Sequence, residues 1–293
     1  MGTLLCVDGT NLLHRSYHAL ESTQLRDREG RAIWAAHGLV RTLAKYVEDM
    51  SPSSLVVAFD APGGCGWRRE LAPTYKQGRA VQSPELGEQL AYVEQFLVSC
   101  GVAAINVVGW EADDILATAS TLAVASGASC VVASSDKDAH QLVGTGVRVY
   151  KLEGTMVDDD WLAAKYHLRG HRWVEYAALL GEGADNLAGV NGIGPKRAAA
   201  LIGDFSDIEE AIGDIAKVRQ LFGPTVAKAL EGGVDAFRRN RQVGTLRRDL
   251  PLDLSAVRTK NINPELVRDK GAEFSLGTSA SRLAGSLGRL QRG

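Results

Sequence analysis

The sequence predicts an α/β fold: a mostly parallel central sheet flanked by helices, followed by a region built from helices alone. Three observations predict it. Four short apolar runs in the first half each lead into acidic residues: Leu4-Leu5-Cys6-Val7, Leu55–Phe59, Ala104–Val108 and Cys130–Ala133. Helical patterns at about 34–50, 84–100 and 112–126 separate them, at spacings that suit right-handed crossovers. After about residue 150 the strand pattern fades and helices dominate. Continuous apolar strands with helices between them imply a sheet buried on both faces. A chain of 293 residues has room for two modest domains, which the pattern places at 1–175 and 176–293.

Composition excludes several classes. Hydrophobic content of 45% with 23% charged residues is that of an ordinary globular chain. No apolar run approaches the roughly 20 residues that span a bilayer, so no membrane association is expected. The N-terminus has no basic region before its short apolar run and does not read as a signal peptide. Cys6, Cys65, Cys100 and Cys130 are scattered without a CxxC pair, which argues against zinc and thiol redox chemistry. Cys6 and Cys130 lie in apolar runs and read as core residues in a reducing, cytoplasmic protein. The net charge of −2 argues against a nucleic-acid partner only if charge is evenly spread, and it is not.

Taken in order, the first strand ends at Asp8 and the second at Asp60. The third leads to Glu111, Asp113 and Asp114, the fourth to Asp136 and Asp138. Parallel sheets bind ligands outside the carboxyl ends of their strands, so these acids should meet at one edge. For Glu111–Asp114 alone a plainer reading exists, since acids at a helix start complement its dipole. Four strands delivering acids to one edge call for cations. Oxygen-only donors select Mg²⁺ or Mn²⁺, and no EF-hand loop is present to suggest calcium. Two such ions about 4 Å apart are the common device for displacement at phosphorus.

Between the second and third strands, Pro62–Gly66 is a breaker-rich loop. The segment Trp67–Arg79 carries Arg68, Arg69, Lys76 and Arg79 with Trp67 and Tyr75 interleaved. Basic side chains with aromatics grip phosphate backbones and stack bases, although a solvated loop has the same composition. In the helical half, Glu182 and Asp185 add two acids. Gly189, Gly192 and Gly194 then form a tight hairpin opening onto a helix whose first turn holds Lys196 and Arg197. Exposed N–H groups at a helix start bind phosphate, and cations there oppose the dipole unless an anion faces them. From 238 to 260 seven cations face two acids, Asp249 and Asp253; a solvated surface reads equally well. The stretch from Thr278 is rich in Gly and Ser, so its end is expected to be loosely held.

Assembled, these motifs resemble the structure-specific 5′ nucleases, in particular the bacterial DNA polymerase I 5′→3′ exonuclease domain and the phage flap endonucleases. The resemblance covers about residues 3 to 275. It rests on six motifs in the family's order: Val7–Arg15, Phe59–Ala61, the arch segment through Tyr75, Lys76 and Arg79, Glu111–Asp114, Asp136–Asp138, and Gly181–Lys196. It implies a PIN-like core with an arch at about 62–95 and a helix–three-turn–helix at about 185–202. It also implies a first metal site at Asp8, Asp60, Glu111, Asp113 and Asp136. Asp136, Asp138, Glu182 and Asp185 would hold a second ion, with Asp114 an outer acid. Lys76, Arg79 and Arg15 would reach phosphate, Tyr17 would stack near a terminal base, and the hairpin would hold K⁺ by its carbonyls. Arg68, Arg69, Tyr75, Lys196 and Arg197 join the expected DNA contacts. Glu182 departs from the family's Asp.

The function so implied is a 5′→3′ exonuclease and flap endonuclease acting on 5′ flaps, nicks, gaps and RNA-primed ends in replication and repair. Branched or nicked DNA and RNA–DNA hybrid ends would be its partners, polymerase and ligase its functional neighbours, and the chain a monomer. The alternatives are a non-catalytic paralog that binds branched DNA and a PIN-like ribonuclease. Only the first predicts lost acids, and the second lacks a duplex-gripping hairpin.

Overall fold

The apolar runs pair as a single sheet of six strands in the computed structural model, which describes residues 2–61, 63–78, 83–255 and 257–291. The strands are β1 (Thr3–Asp8), β2 (Ser54–Ala58), β3 (Ala103–Ile105), β4 (Ser129–Ala133), β5 (Val147–Tyr150) and β6 (Met156–Val157). Their order is β3-β2-β1-β4-β5-β6, parallel except for β6, which runs antiparallel to β5. Leu5 pairs with Leu55 on one side and Val131 on the other. The period of two sends Leu5, Val7, Leu55, Val57 and Val131 to one core, and Leu4, Cys6, Val56, Cys130 and Val132 to the other. Both faces are therefore buried, which is why the runs are continuously apolar.

Helices α1 (Gly9–Leu20), α2 (Trp34–Met50), α3 (Gly66–Leu71), α4 (Pro84–Ser99) and α5 (Ala112–Ala125) occupy the connections. The predicted helices at 34–50, 84–100 and 112–126 are thus present to within a residue. The third strand is shorter than the run Ala104–Val108: Gly109 turns the chain at φ +88 and Val108 stands 80% exposed. Beyond β6 come α6 (Asp159–Tyr166), α7 (Trp173–Leu180), a two-stranded hairpin of β7 (Gly181–Glu182) and β8 (Leu187–Ala188), and α8 (Pro195–Asp204). Then follow α9 (Ile208–Gly213), α10 (Ile215–Phe222), α11 (Pro224–Gly232), α12 (Val234–Gly244), α13 (Pro264–Glu273) and α14 (Gly277–Leu290).

One expectation needs correction. The Gly- and Ser-rich end is not loose: it is α14, with Leu283, Ala284 and Leu287 buried in the core beside α2. Each buried leucine contributes about 1.5–3 kcal/mol, and Glu48 on α2 binds both Arg282 and Arg289. Gly271 on α13 lets that helix and α14 approach closely, since a Cβ there would stand 2.3 Å from that of Ala280 on α14. Because α13 and α14 pack on α4 and α2, the chain's end belongs to the layer of its beginning rather than to the helical half it follows.

Candidate metal centre

The direction in which strands are added to the sheet reverses between β1 and β4, and a crevice opens there at the carboxyl ends of the strands. Asp8, the last residue of β1, caps α1 by accepting the Asn11 N–H at 2.9 Å. It also accepts the Ser134 hydroxyl at 2.8 Å, which ties β1 to the chain leaving β4. Asp60, two residues past β2, accepts the Ala112 N–H at 2.7 Å in the first turn of α5. Glu111 and Asp114 form a capping box around that same helix start, so the helix-start reading of this stretch holds for those two residues. Asp136 follows β4 and accepts the Asp138 N–H at 2.9 Å. From the helical half, Asp185 is buried and Glu182 is exposed on the β7–β8 hairpin.

Asp8, Asp60, Glu111, Asp113, Asp136, Asp138, Glu182 and Asp185 all line one cavity of about 240 Å³, with Lys76 at its side. Burial pushes the Asp8 carboxyl up to about 7, with the charges of Asp60 and Asp136 adding and the Asn11 and Ser134 hydrogen bonds opposing. Asp138 is likewise raised to about 7, by burial and then by Asp136, Asp185 and Glu182. Asp60 is raised by burial, and Asp113 is raised well above the carboxylate range by burial and by Asp8, Asp136 and Asp138. Asp113 Oδ1 is buried without a hydrogen-bond partner.

An orphaned carboxylate oxygen among repelling acids is the environment a hard cation relieves, so the donor set fits a divalent metal bound through oxygen. Among the described residues no three acid, histidine or cysteine side chains already close on one point. The carboxylates stand around a cavity instead of around a preformed cage.

Arg68, Tyr75 and Lys76 of the arch all line the cavity, but they are differently engaged. Lys76 pairs with Glu111 at the cavity wall. Arg68, expected to grip DNA, is 2% exposed and turned inward. Its guanidinium binds Glu111 at 2.7 Å, both oxygens of Asp114 at 2.8 Å, and the Val243 carbonyl on α12 at 3.1 Å. It also stacks 4.4 Å from the Trp67 ring centroid. Asp114 is fully buried and accepts the Arg247 N–H as well, so its oxygens are committed and it does not line the cavity. Tyr75, also expected at DNA, is buried with its hydroxyl donating to Glu111. Tyr17 packs its ring on Trp34 and donates to Glu85, which leaves no face for a base. Arg79 lies outside the described residues.

Arg15 and Arg69 are exposed, and Arg15 is not among the cavity residues. The glycine hairpin is tightly built. A Cβ on Gly189 would stand 2.1 Å from the Leu180 carbonyl oxygen, Gly192 has φ +87, and Gly194 caps α8. Lys196 and Arg197 are exposed on that helix's first turn, Arg197 donating to the Gly192 carbonyl. The basic tail is largely engaged within the chain: Arg238 and Arg241 with Glu209, Arg247 with Asp249, and Arg248 with the Gln141 carbonyl.

Thr10, Asn11, His14, Gln141 and Asn240 also line the cavity. Thr10, Asn11 and His14 fall within the Val7–Arg15 motif, which was their signal in the sequence, whereas Gln141 and Asn240 are isolated polar residues without one.

Two family profiles match the chain in succession, together covering residues 3–265. One, described as 5′-3′ exonuclease, N-terminal resolvase-like domain, matches residues 3–167. The other, described as 5′-3′ exonuclease, C-terminal SAM fold, matches residues 168–265. The thermostable DNA polymerase I of Thermus thermophilus is 32% identical over 267 residues, 91% of this chain and 31% of the relative. DNA polymerase I of Mycobacterium tuberculosis is 31% identical over 255 residues, 85% of this chain and 28% of the relative. The chain thus spans less than a third of the curated relatives it matches. Among solved structures, the T5 D15 protein co-crystallised with metal ions superposes with a TM-score of 0.70 at 19% identity, covering 99% of each chain. The catalytic core of Rad2 in complex with DNA substrate gives 0.60 at 18% identity, covering 99% of this chain and 92% of the other.

Proposed function

The chain belongs to the 5′-3′ exonuclease family, and on that premise we propose that it is a divalent-metal-dependent, structure-specific 5′ nuclease. Its substrates are 5′ flaps, nicks, gaps and RNA-primed ends. The observation that carries this reading is the convergence on one cavity of eight carboxylates from both halves of the chain, with Lys76 beside them.

Asp8, Asp60, Glu111, Asp113 and Asp136 would hold one ion, and Asp136, Asp138, Glu182 and Asp185 a second, with Mg²⁺ or Mn²⁺ suited to their oxygens. Bound there, the pair would lower the pKa of an attacking water and neutralise charge building on the phosphate. Asp8 and Asp138, held near 7, shed protons as cations enter. Lys76 supplies positive charge at the mouth, which the reacting phosphate develops a need for. Arg15 and Arg79 are the further phosphate contacts that the family resemblance implies. The Gly189–Gly194 hairpin, with Lys196 and Arg197, grips the duplex backbone and takes K⁺ on its carbonyls, so selection is for shape and not sequence. Glu182 reaches one methylene further than an Asp would and holds its ion more loosely.

Within a cytoplasmic replication and repair setting, the product would be an end that a polymerase and ligase can use. Cleavage of end-labelled flap, nicked and blunt duplex DNA, with Mg²⁺, Mn²⁺ or chelator, tests the reading. Wild type should cut flap and nick only with metal. An Asp136→Ala protein that keeps full metal-dependent cleavage would sink it.

A further inference from the structure

Lys76 can serve a phosphate only if something holds its turn against the acid cavity, because it lies in an arch segment without regular structure from residue 72 to 78. What holds it comes from the other half of the chain. Asn186 donates its side-chain amide to two carbonyls of the Lys76 turn, those of Thr74 (3.2 Å) and Gln77. One residue earlier, the Asp185 carbonyl accepts the Lys76 N–H at 3.1 Å. Both partners are in the left-handed region, Lys76 at φ +53 and Asn186 at φ +58. Asn adopts that conformation more readily than most residues, while a Lys there must be held by its surroundings.

These contacts fix more than a loop. Asp185 carries one of the cavity carboxylates, and Lys76 pairs with Glu111, another of them. The double clamp therefore sets the lysine in register with acids from both halves. We propose that Asn186 is a positioning residue for strand cleavage, locking the arch turn so that Lys76 faces the phosphate site. The inference rests on the nuclease reading above.

Two substitutions separate clamping from simple tolerance of the backbone conformation. Asn186→Gly keeps the left-handed conformation and removes both donors. Asn186→Asp keeps the shape and sets a carboxylate against two carbonyls. Each should lower single-turnover cleavage at saturating flap DNA by roughly tenfold to a hundredfold, as sub-ångström misplacement of a catalytic group does, with the Kd for the DNA unchanged. In a Lys76→Ala background neither should cause further loss, since a residue that acts through Lys76 has nothing left to position. Separately, trypsin should cut after Lys76 several-fold faster in either variant than in wild type, without metal or DNA.

Full activity in both Asn186 variants, a loss that adds fully to that of Lys76→Ala, or unchanged trypsin cleavage would overturn the inference. A wild-type protein that cuts no flap would instead overturn the nuclease reading, and the trypsin arm would still decide the clamp.

Discussion

Replacing Arg68 by Met removes a cation from a site that retains two buried carboxylates. The guanidinium makes four hydrogen bonds, three of them to Glu111 and Asp114, and the side chain is almost wholly buried. Burial alone would make that charge costly, and the Asp114 and Glu111 carboxylates more than restore it, raising the group's pKa. Breaking one side of a buried pair costs about 3–5 kcal/mol. The lower part of that range applies, because Asp114 keeps the Arg247 N–H at 3.0 Å and Glu111 keeps Lys76 and Tyr75. At roughly 2 °C per kcal/mol for a chain of this size, the melting temperature should fall by about 6–8 °C. Calorimetric melting in chelator measures it without interference from bound metal. Adding Asp114→Asn to Arg68→Met should return about half the loss, since removing both partners of a buried pair costs less than removing one. A single variant melting within about 2 °C of wild type, the behaviour of an exposed pair, would refute the argument.

Three further outcomes follow from the same structure. Asp8 and Asp138 are near 7 in the folded chain against an ordinary 3.8, so the folded state binds more protons between those values. Metal-free stability should therefore fall as pH rises from about 4 to about 7, and Mn²⁺ should reverse the trend; melts against pH with chelator or Mn²⁺ check this. Leu287→Ala, in a fully buried position on α14, should cost about 2–5 kcal/mol in urea unfolding, where a loose tail would cost nothing. Gly189→Ala sets a Cβ 2.1 Å from a carbonyl oxygen and should lose about 1–3 kcal/mol or more together with duplex binding. Gly194→Ala, with open space around it, should leave the melting temperature near wild type; circular dichroism and duplex titration distinguish the two.

The sequence by itself determined the sheet and its acidic edge. Buried parallel strands must be continuously apolar, and an acid directly after such a strand can only emerge at its carboxyl end, so Asp8, Asp60 and Asp136 were placed by local pattern alone. The ordered motifs determined the family for the same reason: they are short, contiguous and chemically distinctive. Tertiary structure alone decided which charges face outward. Arg68 and Lys76 lie eight residues apart in one basic segment and both line the cavity, yet Arg68 is buried against Asp114 while Lys76 stays partly exposed beside Glu111. No pattern of neighbours distinguishes them, because the partners lie far along the chain: Asp114 is 46 residues from Arg68, and Asn186 is more than a hundred from Lys76. The same holds for α14, where Gly and Ser read locally as loop but Ala280, Leu283, Ala284 and Leu287 are buried once α2 and α13 are beside them. Composition records what a residue can do; only the packed neighbours fix whether its charge is spent inside the fold or kept for a phosphate.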